Sequence, residues 1–151
     1  METLLCSRRL AFAAVLTGLI GLTGCGAVSS ADSGDDAQKW QGTWKLTSVT
    51  ENGATQAANF EWIVEGDQYQ VRMDGRNGDG PYKITLDAKN KRIDVFHHST
   101  PAGTWGGALK GIYEISGDSL TVCYDGTGQH YPKSFDASPG SRQILYKFRR
   151  V

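Results

Sequence analysis

The chain has 151 residues, with 16 Lys or Arg against 16 Asp or Glu and a formal net charge of zero. From Lys39 onward 14 Lys or Arg stand against 12 Asp or Glu, a net of +2, far from the basic stripe that nucleic-acid binding wants. The 113 residues from Lys39 to Val151 are long enough to bury a core without staples.

The first element is a leader. Arg8 and Arg9 precede an apolar run from Leu10 to Leu22, too short for the roughly 20 residues that span a bilayer, and a small-residue stretch follows. This is the pattern of an export signal. Leu22-Thr23-Gly24-Cys25 resembles the lipobox of bacterial lipoprotein signal peptides. The resemblance implies cleavage after residue 24 and acylation of Cys25, which would anchor the protein to membrane lipid without spanning it. Each buried methylene contributes about 0.8 kcal/mol, so two or three chains hold firmly where one does not. The competing reading is an ordinary secretory signal with a chance cysteine, and the arginine pair leaves a twin-arginine export route open. Gly26 stands where an aspartate often retains such proteins in the inner membrane. The expected location is therefore the cell envelope, on the periplasmic side of the outer membrane or at the cell surface.

Residues 25–38 read as the acylated cysteine and a flexible tether, since 26–38 holds Ser, Ala, Gly and Asp but no large apolar side chain. Such a tether reaches roughly 20 Å, and Asp32, Asp35 and Asp36 would keep it solvated. One domain remains, 39–151. Cys6 leaves with the leader and Cys25 carries lipid, so Cys123 has no partner and the fold stands on packing alone.

Within the domain, apolar residues recur at every second position inside short runs separated by Asn-Gly, Gly-Asp and Asp-Gly pairs, which predicts antiparallel strands and almost no helix. The runs are Gly42–Thr50, Phe60–Glu65, Gln68–Met73, Gly80–Leu86, Arg92–His97, Leu109–Ile115, Ser119–Tyr124 and Gln143–Arg150. Eight strands with one apolar face are satisfied by an all-β, up-and-down antiparallel barrel, because closure removes exposed edges. Connections alternate in length. Gly66-Asp67, Asp87 to Lys91 and Ser116 to Asp118 are tight, whereas 51–59, 74–79, 98–108 and 125–142 are long. The long loops fall at one end and make the barrel a cup.

Catalytic patterns are missing: there is no Gly-x-Ser-x-Gly elbow, and neither Ser134 nor Ser141 has a recognisable acid or histidine arrangement. The chain does not read as an enzyme and calls for no cofactor. His97 and His98 point to opposite faces of a strand, which argues against a metal site with His130. Residues 74–79 read as a hairpin turn, since Arg76 stands where a calcium ligand would be wanted. Parity places Cys123 on the polar outer face as an inert residue. Ile63, Phe96, Ile112 and Leu145 interrupt that face, either as scattered exposure or as a docking patch.

The inner face holds the best candidate site. Trp62, Tyr69, Tyr82, Tyr113 and Tyr124 bring rings with polar tips into the barrel, with His97 and Trp105 at its mouth, a lining suited to a small apolar or amphipathic ligand. The same rings are large enough to fill the barrel instead. A filled barrel would leave an interaction module that meets an envelope protein through its long loops.

Gly42-Thr43-Trp44 resembles the Gly-x-Trp signature of lipocalins. That family implies a tryptophan plugging the closed end beneath a terminal-strand arginine, here Trp44 and Arg150 by parity. Gln41–Leu46, Gly111–Ile115 leading through Gly117–Leu120 to Val122-Cys123, and Pro132–Phe135 with Pro139–Ser141 resemble a family of short lipocalin-like domains in planctomycete-type bacterial exported proteins. It implies the barrel but no common activity.

Overall fold

The computed structural model describes residues 32–99 and 104–151, and the side chains of 35–97 and 106–151. Its elements are α1 (Asp32–Trp40), β1 (Gly42–Glu51), β2 (Ala54–Gln56), β3 (Phe60–Glu65), β4 (Gln68–Met73), β5 (Arg76–Asn77), β6 (Tyr82–Asp87), β7 (Arg92–Ser99), β8 (Thr104–Ser116), β9 (Ser119–Asp125) and β10 (Gln143–Arg150). All eight expected runs are strands. Strands β10, β9, β8, β7, β6, β4, β3 and β1 follow one another around the sheet, and β10 pairs back onto β1 to close an eight-stranded antiparallel barrel. Short β2 and β5 extend hairpins in two of the long connections.

Register makes the inner face continuous. Trp44 lies opposite Trp62, Trp62 opposite Val71, and Phe148 opposite both Leu46 and Leu120. A bulge between Leu46 and Ser48 keeps Val49 facing inward across from Tyr146. At the closed end, Gly66 and Gly117 adopt φ values of 63° and 56°, which a Cβ would oppose and a tight turn requires. The run expected from Gly80 starts later, at Tyr82, since Pro81 has no N–H to give to the ladder.

Helix α1 departs from the expected tether. Residues 32–38 are helical, and Asp36 and Trp40 are buried, so the packed unit begins before Lys39. Acidic residues near the helix start and Lys39 in its last turn suit the helix dipole, but the decisive partners are distant. Asp36 accepts from Tyr113 Oη at 2.8 Å and from Lys91 Nζ at 2.6 Å, and the Trp40 ring meets Tyr113 edge-on at 5.3 Å. Asp36 is therefore not solvated. The helix lies across the tight-turn end, where the Gln41 side chain also donates to and accepts from Gly66.

The segment 126–142 also departs from expectation, since it folds down the outer wall. Ala137 covers Cys123 and Leu145 beside Ile112, forming a second small core. Tyr131 lies between Arg92 and Lys110, its ring 4.6 Å and 5.5 Å from them, and donates to Asp94. Cys123 faces outward but is fully buried, and Ile112 and Leu145 are likewise withdrawn from any docking patch. Burial pushes the Cys123 thiol up to about 11, aided by the negative charge of Asp136.

Candidate functional site

Alternation on β3, β4, β6, β9 and β10 sends a column of rings up the barrel interior. Phe148 and Trp62 are 4.2 Å apart, Trp62 and Tyr69 4.7 Å, Tyr69 and Tyr82 5.0 Å, and Tyr82 and His97 5.4 Å between centroids. Tyr146 joins from the other side, 6.0 Å from Trp62 and 5.9 Å from Tyr124. The lower members, Phe148, Trp62, Tyr69 and Tyr124, are buried against one another and form a solid floor.

The upper members are only partly covered. Val49, Phe60, Val71, Tyr82, Leu109 and Tyr146 are half-buried, and His97 and Met73 are exposed at the rim. Together they make a partly exposed apolar rim above the packed floor, which we call the bowl.

Its polar groups are phenols. Burial raises the Tyr69, Tyr82, Tyr124 and Tyr146 hydroxyls above the ordinary tyrosine value, with further upward pressure from neighbouring tyrosines on Tyr69 and Tyr124, from Asp79 on Tyr82 and from Glu51 on Tyr146. All four remain neutral donors around pH 7. Tyr124 Oη is buried and has no hydrogen-bond partner among the described residues. Buried hydroxyls normally have one.

The structure thus brings Trp62, Tyr69, Tyr82, Tyr124 and His97 together but separates Tyr113 from them. Tyr113 lies at the closed end, beneath α1 and bonded to Asp36, so it does not line the mouth. The Trp105 side chain lies outside the described residues, though its backbone pairs with His98. Phe60 and Tyr146 share the inward parity of Trp62 and Phe148, and that parity was the signal placing them in the bowl.

At the other end, the Arg150 guanidinium lies 4.1 Å from the Trp44 ring centroid and donates to the carbonyls of Gln41 and Lys39, each at 2.6 Å. Gly42 has φ 105°, and a Cβ there would stand 3.3 Å from Arg150 Nη1, so glycine suits this close approach.

A hollow of about 1430 Å³ lies outside the barrel beneath 126–142. Much of its charged lining is already engaged: Asp36 with Lys91, Arg92 over Tyr131, and Asp125 with the backbone of Thr127, Gln129 and His130. Among the described residues no three His, Cys, Asp or Glu side chains converge as metal ligands, and no helix is long and apolar enough to cross a membrane. No family model, curated protein or solved structure matches the chain.

Proposed function

We propose that the protein is a non-catalytic, lipid-anchored barrel of the cell envelope, held through acylated Cys25, which binds a small amphipathic molecule in the bowl at its mouth. The observation that carries this reading is the set of partly exposed rings at the mouth. Half-buried apolar side chains surround neutral phenols, and one buried hydroxyl, that of Tyr124, has no partner among the described residues. An apolar face of the ligand would cover Phe60, Tyr82 and Tyr146, while a polar group meets the hydroxyls.

Solvent extraction of the protein purified from its own membranes, followed by mass spectrometry, tests the reading. A molecule present at near-stoichiometric level in the wild type and depleted in a Tyr82→Ala/Tyr146→Ala variant supports it. Equal recovery from both proteins would remove the bowl as the site. The tight packing of Phe148, Trp62 and Tyr69 favours a second reading, an interaction module with a filled barrel. It predicts that no small molecule is extracted and that an envelope protein crosslinks to the mouth loops.

A further inference from the structure

The attachment of α1 bears on how a barrel anchored through Cys25, as proposed above, is oriented. Three contacts fix the helix end to the closed end of the barrel. Trp40 is fully buried with its carbonyl accepting from Trp44 Nε1, Asp36 is bonded to Lys91 in the turn before β7, and Arg150 holds the carbonyls of Lys39 and Gln41. The peptide therefore enters the fold opposite the bowl.

Cys25 precedes Asp32 by seven positions. Such a link spans about 25 Å at full extension and has a root-mean-square reach of roughly 15 Å. A tilted barrel strand of six to eight residues covers about 20 Å from turn to rim. Bringing the bowl to the anchoring bilayer would stretch the link along the barrel wall nearly to its limit. Resting the closed end on the bilayer leaves it relaxed.

We infer that the closed end faces the anchoring membrane and the bowl faces away. The ligand is then an amphipathic molecule met in the water layer, not one drawn from the leaflet that holds the anchor.

Energy transfer tests this in the full lipidated protein on vesicles containing a headgroup acceptor lipid. The donor is placed at Lys89→Cys, on the closed-end turn, or at Ala54→Cys, on exposed β2 near the mouth; Cys123 is fully buried. The Lys89→Cys donor should transfer about threefold or more efficiently, given a separation of roughly 20 Å between the ends. Inserting 20 Gly/Ser residues, about three times the natural spacing, between Cys25 and Asp32 should erase the difference. Equal or reversed transfer in the natural-length protein overturns the orientation while leaving the anchor intact. Flotation separates the two claims: wild type must float with the vesicles and Cys25→Ser must not. A wild type that stays in solution overturns the anchor, and the orientation with it.

Discussion

Arg150 illustrates how much one terminal side chain can hold. Its guanidinium covers Trp44, ties down two carbonyls where α1 passes into β1, and lies 3.7 Å from Asp118 in the last tight turn. Charge-assisted hydrogen bonds contribute about 1.5–3 kcal/mol and an exposed cation–π contact about 0.5–1 kcal/mol. Arg150→Ala should therefore lower stability by about 2–3 kcal/mol in urea unfolding. Arg150→Lys should recover less than half, because an ammonium cannot donate in a fork while lying flat on a ring. Asp36 gives a pH signature. Burial pushes its carboxyl up, but hydrogen bonds from Lys91 and Tyr113 and the Lys91 charge outweigh this and leave it below the ordinary value. A lowered folded-state value contributes stability above the unfolded carboxylate pKa, about 4, and that contribution fades as pH falls through the folded value. Protection factors in α1, taken against the intrinsic exchange rate at each pH, should fall below about pH 4, and Asp36→Asn should weaken that dependence while loosening the helix at neutral pH.

Helix α1 and the covering segment 126–142 were not legible as such in the sequence, and each was hidden for a physical reason. Strands announce themselves locally, since alternation needs only one apolar and one wet face, and the runs at 60–65, 68–73 and 143–150 coincide with β3, β4 and β10. Helix α1 has no apolar stripe beyond Ala37 and Trp40. What it buries is Asp36, whose partners Lys91 and Tyr113 lie 55 and 77 residues away. The 126–142 segment left a trace: outward Ile112, Cys123 and Leu145 mark the wall that Ala137 covers. Ladder strands and covering loops also differ in what holds them, because the loop lacks strand pairing and depends on Tyr131, Pro132 and Ala137. Ala137→Asp places an unpaired charge over Cys123. It should displace the segment and make the thiol react with an aromatic disulfide reagent at pH 8 in native protein, where wild type reacts only after unfolding. An unreactive variant would mean that the segment is held mainly by the Tyr131 cluster.

For the whole molecule, barrel shape and barrel capacity are separate properties. The eight-strand alternation determines closure, but whether the interior is hollow depends on ring-to-ring distances that no strand pattern encodes. Here the lower rings are buried against one another and the upper rings are partly exposed, so stability and the proposed binding fall on different layers. Tyr124 lies where those layers meet, and its hydroxyl distinguishes them. An unsatisfied buried hydroxyl costs about 1–3 kcal/mol. Tyr124→Phe removes it while keeping the ring that packs on Tyr146. The ligand-free protein should gain about 1 kcal/mol in urea unfolding, and the affinity for the molecule extracted from wild type should fall about fivefold to tenfold, equivalent to about 1–1.4 kcal/mol. Both changes must appear together. A stability loss would mean that a buried water or neighbouring group satisfies the hydroxyl in the empty protein, and unchanged affinity would place the ligand's polar group on Tyr82 or Tyr146 at the rim.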